Sequence, residues 1–175
     1  MTWLVYALDC PARVDAPALD PRHETEVWIP AGWSVRPGGL PFWPFAAWWG
    51  FHKLRIFRNR RYCLILIREK ARIIHRSCVF PGYFRFPFMA QEDLQVGDIW
   101  TDDKRRGLGL ATHGLARAVE IASDRPRRLW YIVEEENLTS IRLAERVGFS
   151  CVARGKRTER WGSSLLGSFR CESAD

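Results

Sequence analysis

The stretch DDKRRGLGLATHG, Asp102–Gly114, joins three consecutive cations to two closely spaced glycines and then to small and apolar residues. The small and apolar residues recur at helical spacing up to Ala122, and the preceding residues, Asp93–Thr101, have the composition of a strand. A strand that runs through a glycine turn into a helix brings free backbone N–H groups and the positive helix end to one point. The stretch therefore predicts a turn that holds an anion, and a pyrophosphate suits it.

Gly107 and Gly109 are the positions where the backbone would approach the ligand, because a side chain there would occupy the ligand's volume. Two other phosphate loops do not fit. The pattern G-x-x-x-x-G-K-[ST] is absent, and a dinucleotide fingerprint needs a third glycine near Thr112. Taken alone, the glycines also suit a tight turn beside solvated cations. Other segments of the chain are needed to distinguish an anion site from such a turn.

The segments around the turn predict an α/β fold with a mixed, mostly antiparallel sheet of about six or seven strands and helices on both faces. Residues 10–41, rich in proline, predict a loop region with one short extended segment, TEVWIP. A capped helix is expected after Asn137 or Thr139, ending at Gly148. The other predicted elements are an N-terminal strand (TWLVYALD), a helix from Phe45, a hairpin of Tyr62–Ile67 and Arg72–Phe80, a strand at Arg127–Val133, and two closing strands around Arg160–Gly162.

Composition limits the function classes. The chain has 175 residues, 47% of them hydrophobic, and a formal net charge of +7, which suits one folded domain that attracts anions. Its five cysteines show no C-x-x-C spacing, so we expect reduced thiols, no metal site and a cytoplasmic protein. The N-terminus has no basic leader, and the densest apolar stretch, Leu40–Phe51, is shorter than the roughly 20 residues that span a bilayer.

Two motifs give a specific resemblance. Residues 104–109, KRRGLG, resemble the [QR]-x-x-G-x-[GA] acyl-CoA signature of the GNAT superfamily of N-acyltransferases, with lysine in the first place. The segment VEEENLTSIRLAERVGF resembles the second motif of that family, with Asn137, Ser140, Gly148 and Phe149 in the matching places. The resemblance covers residues 60–170. It implies a single GNAT-like domain over 1–175, with a variable acceptor-side region at 1–61 and a core with the acyl-CoA site at 62–175.

The resemblance also implies a sheet that is splayed between Asp93–Thr101 and Arg127–Val133, with acetyl-CoA or another acyl-CoA bound in the opening. The pantetheine arm would bind backbone groups of the first strand, and the pyrophosphate would bind the amides of the turn. The cofactor contacts that follow are Ile99, Trp100, Thr101, Lys104, Arg105, Arg106, Gly107, Leu108, Gly109, Leu110, Ala111, Asn137 and Ser140.

The acceptor is less specified. Segments such as FRFPFM and DLQVGDIWT are similar to a GNAT branch of bacterial surface-polysaccharide proteins that acylate amino sugars. The prediction is therefore transfer to a small primary amine, including a nucleotide-linked amino sugar. A protein or peptide acceptor and a non-catalytic CoA sensor remain alternatives. A nucleic-acid partner is not expected, because no RNA- or DNA-binding motif is present, and homodimer formation stays open.

Many relatives protonate the leaving thiolate with a tyrosine, but Ala144 stands at that position here. Three candidates could be the general base. His75 is preferred because its ordinary pKa suits neutral pH. Asp98 follows, because it would share an apolar strand face that raises a carboxyl pKa. Glu134–Glu136 at the end of a strand come third. A hydrogen-bonded core histidine and surface acids are the structural alternatives.

Residues 42–61 are predicted to form a helix with many aromatic side chains and a basic C-terminal end, and they contain no acid. Three interpretations remain open. The aromatic side chains could pack against the sheet or a dimer partner, the arginines could line the acceptor site for a phosphorylated substrate, or the segment could dock on a membrane surface. The membrane interpretation is the least favoured by the sequence.

Overall fold

The computed structural model describes residues 2–158 and 167–173. The strands are β1 (Thr2–Cys10), β2 (His23–Trp28), β3 (Cys63–Glu69), β4 (Arg72–Pro81), β5 (Leu94–Thr101), β6 (Arg127–Glu134), β7 (Ser150–Arg157) and β8 (Phe169–Ser173). The helices are α1 (Phe42–Lys53), α2 (Leu110–Ala122) and α3 (Leu138–Val147), and a one-turn 3-10 helix, Asp103–Arg105, precedes α2. The predicted turn at 160–162 lies outside the described residues.

These strands form one sheet in the order β2-β3-β4-β5-β6-β1-β7-β8. Neighbouring strands are antiparallel except for β5 and β6, which run parallel. The predicted fold class is confirmed, with one strand more than expected. The added strand, β2, includes the segment predicted as extended; it is a polar edge strand with Glu24 exposed, so its sequence pattern is weak.

The N-terminal strand β1 lies inside the sheet, between β6 and β7. Its side chains alternate: Val5 packs with the hydrophobic cluster on one face of the sheet and Tyr6 with the cluster on the other. Residues 2–10 therefore pair with strands from the C-terminal half of the chain, on the other side of the predicted boundary at residue 61.

Helices cover both faces of the sheet. On one face, Phe45 of α1 joins Leu64, Leu66 and Phe80 in an aromatic-rich cluster. On the other, α2 and α3 pack against a cluster of strand residues that includes Ile65. The two faces are called the α1 face and the α2 face below. The alternation of Leu64, Ile65 and Leu66 between the clusters explains why β3 is continuously apolar from Cys63 to Ile67.

Helix α1 is shorter than the sequence predicts. It ends at Lys53, and Arg55 adopts a left-handed backbone conformation with φ of 57°. Residues 55–61 therefore form an irregular segment, and the predicted basic end of the helix is a loop. No helix within residues 2–158 and 167–173 is long and apolar enough to cross a membrane.

Candidate active site

Strands β5 and β6 part halfway along their length. They pair only at Leu94↔Leu129, Gln95↔Trp130 and Val96↔Tyr131. Directly after Val96, the pairing of β5 with β4 shifts between Cys78 and Arg76, so that β5 bulges, and Asp98 has a φ of 46°. A bulge bends its strand away from the regular ladder. The bulge therefore accompanies the separation of β5 from β6.

A cavity of about 350 Å³ occupies the opening. Of the predicted site residues, Asp98, Ile99, Asn137 and Ser140 line it, whereas Trp100 and Thr101 do not. The remaining lining residues are Trp3, Val96, Gly97, Tyr131, Ile132, Val133 and Glu134. The sequence motifs did not mark Trp3 or Tyr131, because their place beside the cavity depends on the register of β1 and β6.

The backbone of β5 offers hydrogen-bonding groups to the opening. The Asp102 N–H donates to the Ile74 carbonyl across the β4–β5 pair, at 2.9 Å. Because successive strand residues direct their backbone groups to opposite sides, Trp100 also faces β4, while Ile99 and Thr101 face the side of β6. Two of the three predicted pantetheine contacts are thus oriented towards the opening.

The glycine turn has the backbone that its sequence requires. Gly107 and Gly109 have φ values of 79° and 74°, in the left-handed region that glycine adopts without strain. The first helical hydrogen bond of α2 runs from the His113 N–H to the Gly109 carbonyl, at 2.9 Å. The N–H groups of Leu110 and Ala111 therefore come before the first helical donor, the His113 N–H, and remain available to an anion.

The three cations of the turn differ in their contacts. Arg105 forms an ion pair with Glu69 at 2.6 Å, and Arg106 forms one with Asp103 at 2.7 Å. The hydrogen bond from Arg105 lowers the pKa of the Glu69 carboxyl below its ordinary value. The exposed Lys104 has no ion pair within the described part of the chain. Two of the three cations predicted to contact the cofactor are therefore already engaged in ion pairs.

The predicted base His75 is fully buried beneath α2. Its Nδ1 lies 2.8 Å from the Thr101 hydroxyl and its Nε2 lies 2.9 Å from the Ser77 hydroxyl. Burial lowers the pKa of His75 to about 4, and a Cβ atom on Gly114 would overlap its ring. Both ring nitrogens are engaged and inaccessible, so the geometry supports a structural histidine and not the predicted base.

Asp98 does not lie on the apolar face that its sequence position predicts. The bulge turns it to the α1 face, away from the side chains of Leu94 and Val96. There the Arg76 guanidinium donates to both carboxylate oxygens, at 2.9 and 3.0 Å. The same guanidinium lies 5.4 Å from the Trp100 ring centroid. A carboxylate held in this ion pair is a positioning element, and the apolar setting expected from the sequence is absent.

Glu134 is the carboxylate across the cavity from Asp98. It ends β6, is half-buried and lines the cavity beside Trp3, its partner in β1. Among residues 2–158 and 167–173 its carboxylate has no hydrogen bond or ion pair, whereas the neighbouring Glu135 is paired with Arg154. Of the three base candidates from the sequence, Glu134 alone combines a place on the cavity with a free carboxylate.

Tyr131 provides a hydroxyl group in the same cluster as Ala144, the position at which many relatives have the tyrosine acid. Ala144 is fully buried in the core of the α2 face. Tyr131 lines the cavity, and burial raises the pKa of its phenol, although an interaction with the Ser140 hydroxyl lowers it to a smaller extent. The Ser140 N–H donates to Asn137 Oδ1 at 3.1 Å, which confirms Asn137 as the cap of α3.

The basic segment after α1 lies far from the opening. Arg61 pairs with Asp124 at 2.8 Å, after the end of α2. Arg58 contacts the Met89 carbonyl, and Asn59 donates to the Gln91 carbonyl at 3.0 Å, both ahead of β5. These contacts place the segment at the end where β5 and β6 are still paired. For Arg58 and Arg61, the interpretation as a wall of the acceptor site is therefore corrected.

The residues that the structure describes include no group of three His, Cys, Asp or Glu side chains placed to hold a metal ion.

A comparison with curated protein sequences gives no match. Comparisons with solved structures find similar folds at low identity. A GCN5-related N-acetyltransferase from Sphaerobacter thermophilus has a TM-score of 0.61 at 17% identity, over 87% of this chain and 49% of that one.

Two further solved structures have a similar fold. A Drosophila protein has a TM-score of 0.59 at 16% identity, over 87% of this chain and 48% of that one. A putative acetyltransferase of the GNAT family from Novosphingobium aromaticivorans has a TM-score of 0.53 at 16% identity, over 88% of this chain and 62% of that one. This chain thus spans about half to three-fifths of the length of these structures, and the likeness shows the fold.

The sequence itself matches the acetyltransferase (GNAT) family over residues 25–149. That range contains the glycine turn, the bulged strand and the whole second motif, and it leaves out β1. Sequence match, sheet topology and the opening between β5 and β6 agree: the chain belongs to the acetyltransferase (GNAT) family.

Proposed function

We propose that this protein transfers an acyl group from acyl-CoA, acetyl-CoA in the first place, to a primary amine of a small molecule. The observation that carries the proposal is the continuity of the cavity with the turn: β5 lines the opening and then runs directly into the glycine turn at the start of α2. One extended ligand with a thioester at one end and a pyrophosphate further along would follow this path.

The chain's own groups suit such a substrate. The N–H groups of Leu110 and Ala111 and the charge of Lys104 would bind the pyrophosphate. The backbone groups of Ile99 and Thr101 would pair with the amides of the pantetheine arm as an added strand does. Holding thioester and amine together in this way accounts for much of the catalysis, since positioning lowers a barrier by about 7 to 11 kcal/mol.

The reaction forms a C–N bond at the thioester carbonyl and breaks the C–S bond. The attacking nitrogen must lose a proton, and the departing CoA sulfur must gain one. We assign the first transfer to the Glu134 carboxylate, which is unpaired and lies on the cavity. We assign the second to the Tyr131 phenol, which is protonated at neutral pH because the ordinary pKa of a phenol is near 10 and burial raises that of Tyr131 further.

The cavity favours an acceptor with a cationic amine and without phosphate. The carboxylates of Asp98 and Glu134 line it together with the indole of Trp3. The guanidinium that contacts Asp98, that of Arg76, is already neutralised by this ion pair. An unphosphorylated amino sugar would match these groups, whereas a nucleotide-linked sugar finds no free cation among the described lining residues.

The test is an acetyl-transfer assay with a panel of small amines, amino sugars and peptides, read as free CoA thiol and as product mass. Glu134→Gln should lower kcat by about 10² to 10⁴ with the KM for acetyl-CoA unchanged. The exposed Glu136→Gln is the matched control and should behave as the wild type. Equal turnover by the two variants would remove Glu134 from the mechanism.

A second candidate function is a CoA sensor without catalysis, which Ala144 favours because the family's usual acid is missing. It predicts saturable acetyl-CoA binding with no turnover of any amine in the panel. A peptide acceptor in place of a small molecule would appear in the same panel as peptide acetylation. Absence of both binding and turnover would contradict the acyltransferase proposal and the sensor together.

A further inference from the structure

The outward side of α1 is an uncovered apolar surface. Trp43 is 81% exposed and Leu54, which follows the helix, is 75% exposed. Ala47 and Gly50 lie between them at the spacing of one helix face, opposite the buried Phe45. The helix therefore covers the sheet with one side and presents tryptophan and leucine to solvent with the other.

A second exposed tryptophan lies beside the same helix. Trp33, from the loop before α1, is 88% exposed and packs against Trp49, with ring centroids 6.0 Å apart. The Lys53 ammonium lies 5.7 Å from the same Trp49 ring, so Trp33 and Lys53 flank one indole. Monomeric proteins seldom leave several large apolar side chains in one exposed patch without an interaction partner.

The charges around the surface have one sign. Lys53, Arg55 and Arg60 are exposed and have no ion pair within residues 2–158 and 167–173. Arg60 lies close enough to the helix to lower the pKa of His52, after the larger effects of burial and of Lys53. No acidic residue occurs between Glu26 and Glu69. The surface made of Trp33, Trp43, Leu54 and these three cations is called the α1 surface.

We propose that the α1 surface docks the protein on an anionic lipid bilayer. Tryptophan side chains favour the boundary between head groups and acyl chains, and exposed cations are attracted to anionic head groups. A second copy of the chain is the less favoured occupant, because a two-fold contact through this surface would bring its cations against their own copies. The proposal is independent of the acyl-transfer reaction.

The test is co-sedimentation of the full chain with vesicles of phosphatidylcholine alone or mixed with phosphatidylglycerol. Binding should require phosphatidylglycerol and should weaken as salt is added. The double variant Trp43→Ser/Leu54→Ser and the triple variant Lys53→Glu/Arg55→Glu/Arg60→Glu should each bind about tenfold less. Val152→Ser, which removes an exposed apolar side chain from β7, should bind as the wild type.

Several outcomes would contradict membrane docking by the α1 surface. Equal sedimentation with both vesicle types, or equal binding by the wild type and the Trp43→Ser/Leu54→Ser variant, would overturn the proposal. Light scattering provides a second measurement, of the oligomeric state, that does not require lipid. A wild-type dimer that becomes a monomer in the Trp43→Ser/Leu54→Ser variant would assign the α1 surface to a second copy and would also overturn it.

Discussion

The glycine turn and the cavity next to it differ in how they are built. The turn, residues 102–111, is one continuous stretch whose backbone and charges follow from its own sequence. The cavity collects Trp3, Asp98, Glu134 and Ser140 from β1, β5, β6 and α3. Its chemistry depends on strand register and on one bulge. The pyrophosphate half of the site is thus a local structure, while the half that handles the amine depends on tertiary contacts.

The largest effect on turnover should come from a substitution in the cavity. Tyr131→Phe removes the phenol that we assign to the leaving sulfur and keeps the ring that packs near Phe149. Loss of a general acid should lower kcat by about 10², with unchanged affinity for acetyl-CoA. Steady-state kinetics together with calorimetry separates these two quantities. An unchanged kcat would mean that water or another group protonates the thiolate.

A substitution in the glycine turn should have a smaller effect, on the affinity for acetyl-CoA. Gly107→Ala disfavours the left-handed conformation by roughly 1–2 kcal/mol, so that binding has to restore the turn and the affinity for acetyl-CoA should fall about tenfold. Gly148→Ala is the matched control, because Gly148 has a φ of 99° and a Cβ there would likewise contact nothing within 4 Å. Both variants should lose stability, and only Gly107→Ala should lose affinity. Equal acetyl-CoA titrations for the two variants would separate the turn from acyl-CoA binding.

The smallest effect on turnover should come from His75, which belongs to neither half of the site. His75→Gln should change kcat only a few-fold, because the ring is buried and both nitrogens are engaged. Its effect should appear in the pH dependence of stability. The folded state keeps His75 neutral down to a pKa of about 4, against an ordinary value of 6.5.

The sign follows from proton binding. Between pH 6.5 and about 4 the unfolded chain binds a proton at His75 that the folded chain does not. The free energy of unfolding therefore falls with decreasing pH in this window, by up to about 1.4 kcal/mol per unit from this residue. Denaturant unfolding at a series of pH values should show a flatter dependence for His75→Gln. An unaltered slope, or a loss of turnover as large as that of Glu134→Gln, would contradict the structural role.

The sequence predicted most of the fold, because the elements follow from local patterns. The glycine turn, the Asn137 cap and the stop at Gly148 are each set by residues close together in the chain. The polar edge strand β2 was seen only as an extended segment. The early end of α1 was also missed, because aromatic periodicity continues past Lys53, where the left-handed Arg55 turns the chain away.

The base could not be predicted with the same ease. Strict alternation along β5 puts Asp98 on the apolar face, and the bulge that reverses it is marked in the sequence only by Gly97, an isolated glycine in the strand. His75 looks suitable by its ordinary pKa, yet its burial under Gly114 depends on how α2 packs. Glu134 appeared among three adjacent glutamates, and only the strand register and the cavity distinguish it from Glu135 and Glu136.

The central claim is that one acyl-CoA molecule lies along β5 and reaches the glycine turn. The most direct test is amide hydrogen exchange with and without acetyl-CoA. The amides of Ile99, Thr101, Leu110 and Ala111 should exchange more slowly in the complex, while that of Trp100, which faces β4, should change little. Saturable binding that leaves these amides unchanged and protects a different part of the chain would contradict it.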